Sequence, residues 1–156
     1  LCSLLARGAG HAGMAGGQAI DLASVGTQLT LEQLRRMHRC KTGALLETSV
    51  VMGAVAAQAS AQTTQALLSY GQALGVAFQV VDDILDVTAD TAVLGKTAGK
   101  DADNHKPTYV SLLGLQAAQQ EATRLAAQAQ QALAHSGLTD TQVLQSLANW
   151  VLERKH

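Results

Sequence analysis

Nine residues constrain this chain more than any others: Phe78-Gln-Val-Val-Asp-Asp-Ile-Leu-Asp86. Three carboxylates stand in an apolar run with no basic residue among them. Read as a helix, Gln79, Asp82, Asp83, Asp86 and Asp90 fall at i, i+3, i+4, i+7 and i+11, on one face. Ala77, Phe78, Val80, Val81, Ile84, Leu85 and Val87 fill the remainder. Such a helix is buried over most of its girth, and its acidic stripe must face something polar. Like charges one turn apart repel by roughly a few tenths of a kcal/mol per pair. Acids near a helix C-terminus also oppose the macrodipole. Folding alone does not ask for this arrangement, whereas a divalent cation does.

The rest of the chain reads as helix too. It has 156 residues, enough for one domain with its own core, and 47% are hydrophobic, which excludes disorder. Ala, Leu and Gln are abundant, and the single proline is Pro107. Few breakers and few β-branched runs predict an all-α chain. A net charge of -1 excludes a nucleic-acid surface, which needs a basic face. Two cysteines, Cys2 and Cys40, form no framework and point to a reducing, cytoplasmic compartment. Cys40 lies between Arg39 and Lys41, and its simplest reading is a small half-buried residue. No apolar run reaches the roughly 18 to 20 residues that span a bilayer.

In chain order, a helix end near Arg7 precedes Gly8-Ala-Gly10-His-Ala-Gly13. This is a formal GxGxxG, but no strand comes before it, so a dinucleotide site is not expected. Small residues through Ala19 instead predict a helix pressed closely against a neighbour. Thr30 and Gln33 form a capping box, with Leu29 and Leu34 as its hydrophobic staple. The helix they open is expected from residue 31 to about 57, with Arg35, His38, Lys41 and Thr42 as a polar stripe entering an apolar second half. Ser60 caps a helix over about 61–87, where Gly71 and Gly75 permit close packing. Residues 88–106 read as a polar loop. Gly95-Lys96-Thr97 fails as a P-loop because Asp90 stands where a glycine is needed. Asp101-Ala-Asp103 fails as an EF-hand, with Lys106 and Leu112 at its sixth and twelfth positions. Pro107 opens a helix expected to run to about His135 and stop at Gly137. Thr139 with Gln142, and Leu138 with Val143, predict another capped start for a last helix ending near Glu153, with Trp150 as an apolar anchor.

Asp82, Asp83 and Asp86 are oxygen ligands for a hard cation. Mg²⁺ takes one or two carboxylates, several waters and substrate phosphate oxygens rather than a full protein cage. Lys41 and Lys96 could meet the same phosphate oxygens, and Thr42 and Gln79 could add hydrogen bonds. Nothing indicates a covalent nucleophile, and the His and Cys residues lack zinc-site spacing. The parts suit a site that binds and electrostatically activates a diphosphate beside an apolar cavity.

The acidic stretch resembles the second aspartate-rich motif, DDxxD, of trans-isoprenyl diphosphate synthases. His38 to Gly43 resembles that family's Lys-Thr segment, and Gly16-Gly-Gln-Ala-Ile-Asp-Leu22 its GQ-x-x-DL segment. Gly95-Lys-Thr-Ala-Gly-Lys-Asp101 and Lys106-Pro-Thr-Tyr109 resemble the loop after the second motif. The likeness covers nearly the whole chain and is closest to the bacterial farnesyl diphosphate synthases (geranyltranstransferases).

The resemblance implies an isoprenoid-synthase-type helical bundle around a central cavity, usually as a homodimer. It implies Mg²⁺-assisted loss of diphosphate from an allylic substrate, attack on the cation by the double bond of isopentenyl diphosphate, and loss of a proton. Asp82, Asp83 and Asp86 would hold metal, and Lys41 and Lys96 the allylic diphosphate. Gln18 and Asp21 would line the site, Thr42 and Gln79 would lie near the reacting carbons, and Lys106 and Asp101 would belong to the lid. Val81 stands where the family often has Gln and is left as packing.

One departure matters. The family's first aspartate-rich motif and its paired arginines have no counterpart, since the only Arg-Arg is Arg35-Arg36 in a different context. The expectation is the C-terminal half of a synthase with an incomplete active site, to be paired with the missing N-terminal half. The alternative is a non-catalytic helical module that docks onto a synthase partner. A terpenoid cyclase is disfavoured because Asp82-Asp-Ile-Leu-Asp86 lacks the Asn, Ser and Glu mixture of its second motif. The product, expected to be farnesyl diphosphate, is not fixed by these residues.

Overall fold

The computed structural model describes residues 1–88 and 107–154. Among them every regular element is helical: α1 (Cys2–Ala9), α2 (Met14–Ala23), α3 (Leu31–His38), α4 (Ala44–Ala56), α5 (Ala61–Thr88), α6 (Tyr109–Leu113), α7 (Leu115–Ala134) and α8 (Gln142–Glu153). A π-helical segment, Arg39–Gly43, joins α3 to α4 without interruption. Thr88, the first residue of the expected loop at 88–106, is still helical, and residues 89–106 lie outside the described residues.

The organising element is α5. It packs along α7 on one side and along α4 and the π segment on another. The α7 interface is cut from small residues. Ala118, Ala122, Leu125, Ala129 and Leu133 recur at helical spacing and are buried, facing Ala73, Leu74, Ala77 and Val80 among others in one core. Two buried polar links fasten the first half of α5. The Tyr70 hydroxyl donates to the Leu144 carbonyl at 2.8 Å, and Thr63 Oγ1 donates to the Ser136 carbonyl at 2.8 Å.

The α5–α4 contact depends on glycine. A Cβ on Gly75 would lie 2.6 Å from Gly43 Cα, and one on Gly71 would lie 2.9 Å from Glu47 Cα. The two contacts run antiparallel, so backbone meets backbone along two turns. On the opposite side, a Cβ on Gly17 of α2 would collide with the backbone of Lys41. The small-residue run at 13–19 thus makes the close approach that its composition predicts.

The local start signals at Thr30 and Ser60 operate as expected. Thr30 Oγ1 accepts from the Gln33 amide at 3.3 Å while Gln33 Oε1 accepts from the Thr30 amide at 2.8 Å, and Ser60 Oγ accepts from the Thr63 amide at 3.1 Å. Elsewhere the expectations need correcting. The helix after Pro107 is two helices, because Gly114 adopts φ +81 between α6 and α7. Its cap is Thr108, whose hydroxyl accepts from the Ser111 amide at 3.0 Å. At α8 the capping oxygen is Asp140 Oδ1, 2.9 Å from the Gln142 amide, in place of Thr139. Val143 is 79% exposed and Leu138 also faces solvent, so no staple forms. Trp150, 55% exposed, lies at the surface and outside the core.

A paired substitution tests the glycine contact. Gly75→Ala should destabilise the fold by about 1–3 kcal/mol through overpacking, despite better helix propensity. Gly53→Ala, where an added Cβ meets open space, should stabilise by up to about 1 kcal/mol. Urea midpoints of the two variants should move in opposite directions.

Candidate functional site

The π segment carries the basic side of the candidate site. A π turn inserts one extra residue into a helix, rotating the residues after it by about 100° relative to an uninterrupted helix. Such turns concentrate at functional positions. Lys41 lies in the middle of this one, and its Nζ donates to Asp21 Oδ2 of α2 at 2.6 Å. Asp21 is buried and Lys41 half-buried. Gly17, one turn before Asp21, sits on the Lys41 backbone and so sets this pairing. Gln18 and Thr42 are both half-buried beside these residues in sequence.

The acidic side is the last two turns of α5. Gln79 follows Gly75 by one turn, and Gly75 is the residue that meets the π segment. The predicted stripe divides here. Asp83 is buried, and its Oδ2 accepts from the Tyr109 backbone amide at 2.7 Å, fastening the start of α6 to α5. The Asp82 side chain is 59% exposed, and Asp86 is half-buried. Among the described residues no group of three or more His, Cys, Asp or Glu side chains comes together as a metal cage. Asp82 and Asp86, one turn apart, nevertheless offer the one or two hard oxygen donors that Mg²⁺ takes from a protein. Lys96, Lys106, Asp101 and Asp90 lie outside the described residues.

Sequence reading misses two residues at this end and gives His38 only a place on the polar stripe. The Tyr109 ring is fully buried and packs on His38 with centroids 5.6 Å apart and planes 39° apart. Asp83, Tyr109 and His38 thus form a contact chain from the acidic helix to the turn preceding Lys41. Neither His38 Nδ1 nor the Tyr109 hydroxyl finds a hydrogen-bond partner among the described residues. Burial, reinforced by the Lys41 charge and opposed by Asp21, pushes His38 down to about 4. Burial pushes Tyr109 up to about 12. Both are therefore neutral at physiological pH, between the Lys41–Asp21 pair on the His38 side and the Arg35, Glu121 and Asp83 charges on the Tyr109 side. The other missed residue is Arg154, just past α8. Its Nη2 donates to the Phe78 carbonyl at 2.8 Å and to Asp82 Oδ1 at 3.1 Å, and its guanidinium lies 3.9 Å from the centroid of the Phe78 ring. Tyr109 and Arg154 are far from their partners in sequence, and no local pattern announces either contact.

A cavity of about 500 Å³ opens between α1, the π segment and α4, with Leu4, Gly8, Cys40, Ala44 and Thr48 in its lining. Among the described residues no helix is long and apolar enough to cross a membrane.

Residues 4–147 match the family model described as polyprenyl synthetase. The chain belongs to the polyprenyl synthetase family. It is 44% identical over 158 residues to the farnesyl diphosphate synthase of Escherichia coli (strain K12), covering 99% of this chain and 52% of that protein. It is 42% identical over 151 residues to a chloroplastic geranylgeranyl pyrophosphate synthase of Catharanthus roseus, covering 96% of this chain and 42% of that one. A solved Helicobacter pylori geranyltransferase, complexed with magnesium and isoprenyl diphosphate, superimposes with a TM-score of 0.78 at 36% identity. That match covers 97% of this chain and 49% of the other. The chain thus spans about half the length of these synthases. The all-α fold and the resemblance read from the motifs both hold.

His38 gives the site a pH signature. The unfolded chain takes up a proton on this group near its ordinary value of 6.5, whereas the folded chain does so only near 4. Its neutral burial therefore contributes fully above about pH 6.5, and up to about 3 kcal/mol is lost as pH falls toward 4. Urea unfolding from pH 7 to 4 should show this slope, and His38→Gln should flatten it.

Proposed function

We propose that this chain supplies the diphosphate- and metal-binding wall of a prenyltransferase. The reaction joins an allylic diphosphate head-to-tail to isopentenyl diphosphate. The observation that carries the reading is the Gly43–Gly75 contact, which brings the Lys41 segment against the helix bearing Gln79, Asp82 and Asp86, within a family match covering most of the chain.

Lys41 is the pre-oriented cation for the allylic diphosphate, held by Asp21 so that its ammonium is steered before substrate arrives. Thr42 and Gln79 are half-buried dipoles placed to face positive charge developing at the allylic carbon. Asp82 and Asp86 would hold Mg²⁺, with Asp83 supporting them by fixing Tyr109. Bound there, Mg²⁺ would neutralise the departing diphosphate and lower the barrier to its loss. Gln18 lines the diphosphate side, and the motif likeness assigns Lys96 and Lys106 to diphosphate binding as well. We place the protein in the cytoplasm, as a homodimer or paired with the missing N-terminal half.

Similar identity to synthases named for farnesyl and for geranylgeranyl products leaves chain length undecided on sequence, and we assign farnesyl diphosphate on the bacterial motif likeness. The half-length match, together with Leu1, Leu5, Leu22 and Val25 exposed on and flanking α1 and α2, favours a second reading, a helical module docked on another synthase polypeptide.

The full-length gene product, given dimethylallyl or geranyl diphosphate with labelled isopentenyl diphosphate and Mg²⁺, should form acid-labile product. Asp82→Asn and Lys41→Met should each lower kcat by about 100-fold with helicity unchanged. Turnover indifferent to both substitutions would sink the catalytic reading. Binding to a separate synthase without turnover would establish the module.

A further inference from the structure

Arg154 is buried further than an arginine ordinarily goes. Its side chain is 7% exposed while that of its partner Asp82 is 59% exposed. A desolvated guanidinium needs anionic or strongly polar partners. Among the described residues its guanidinium meets one turn of α5: the Phe78 carbonyl, the Phe78 ring and Asp82 Oδ1. Its buried Nε has no hydrogen-bond partner among the described residues. Among the described residues, the carboxylate that balances its charge is the exposed acid at the head of the DDxxD stretch.

We infer that Arg154 is a positioning residue for Asp82 and that it competes with a divalent cation for the Asp82 carboxylate, so that metal binding unlatches the end of α8 from α5. The inference rests on the metal role proposed for Asp82. Without metal, Arg154 neutralises Asp82 and holds its rotamer. A dication at the same oxygens meets a guanidinium within a few ångströms, and like charges this close cannot share one carboxylate cheaply. Released from Asp82, Arg154 keeps, among the described residues, a carbonyl and a ring to offset its burial. Linkage requires reciprocity: the latch weakens metal binding by the same factor by which metal weakens the latch.

Mn²⁺ binding to the full-length gene product, followed by the EPR signal of free Mn²⁺, tests this without turnover. Arg154→Gln should tighten Mn²⁺ binding by about fivefold. Arg154→Lys keeps the charge and should stay close to wild type, and it serves as the folded control. Amide exchange of the peptide covering 147–154 should accelerate on Mg²⁺ saturation in wild type. In Arg154→Gln that exchange should be fast from the start and insensitive to metal. Asp82-dependent Mn²⁺ binding that Arg154→Gln leaves unchanged or weakens overturns the latch alone, as does exchange that ignores Mg²⁺ in wild type. Mn²⁺ binding equal in Asp82→Asn and wild type overturns both the latch and the metal assignment.

Discussion

Two glycine backbones in contact set the geometry on which the candidate site depends. Gly43 and Gly75 let α5 lie against the helix running from Leu31 to Ala56 with no side chain between them. A methyl group at Gly75 would meet the opposite backbone at 2.6 Å, so the helices would have to part or slide. Either movement would separate the turn carrying His38, Lys41 and Thr42 from the turns carrying Gln79 and the aspartates. Gly17 repeats the device on the far side, so the Lys41 segment is gripped between α2 and α5. The π turn lies inside that grip.

How much the chain discloses in one dimension depends on the range of the forces involved. Capping is local, so Thr30 with Gln33 and Ser60 are legible within a few residues of each helix start. Close packing at Gly71 and Gly75 is legible because glycine in a helix interior has a propensity cost that only proximity offsets. The π turn is not legible, since the same residues read as unbroken helix and it is tertiary contact that accompanies the extra residue. Nor is the division of the acidic stripe. Asp82 and Asp83 are chemically identical neighbours, and they are separated by an amide 26 residues beyond Asp83 and an arginine 72 residues beyond Asp82. The break at Gly114 is hidden because an isolated glycine in an alanine-rich run does not reveal its φ. The motif likeness succeeds because it rests on several short segments in order, which the match over residues 4–147 bears out.

The acids of the site are each handled differently. Asp21 is buried against a lysine ammonium, Asp83 is buried against a backbone amide, and Asp82 stays largely in solvent beside a buried guanidinium. Burying a carboxylate is tolerable only with such compensation. Between them sits a pair of rings, His38 and Tyr109, that carries no charge at neutral pH. Neutral rings here keep the low-dielectric wall from adding a further cation or anion to a place already holding both.

The burial of α5 is uneven along its length, and this sets how deeply each of its acids lies. Its 28 residues span about 42 Å. The first half is bolted through side-chain hydroxyls of Thr63 and Tyr70 to carbonyls near and within α8. The last turns, from Ile84 onward, are half-buried or exposed, with Asp83 as the last buried residue. Just before them, Asp82 and Asp83 are tied by Arg154 and by the Tyr109 amide, so α5 is also fastened to the end of α8 and the start of α6. Gln79, Asp82 and Asp83 thus share the stretch of α5 that is anchored from both α6 and α8, and Asp86 stands one turn further on, where burial falls away, so a single helix presents its acids at graded depth.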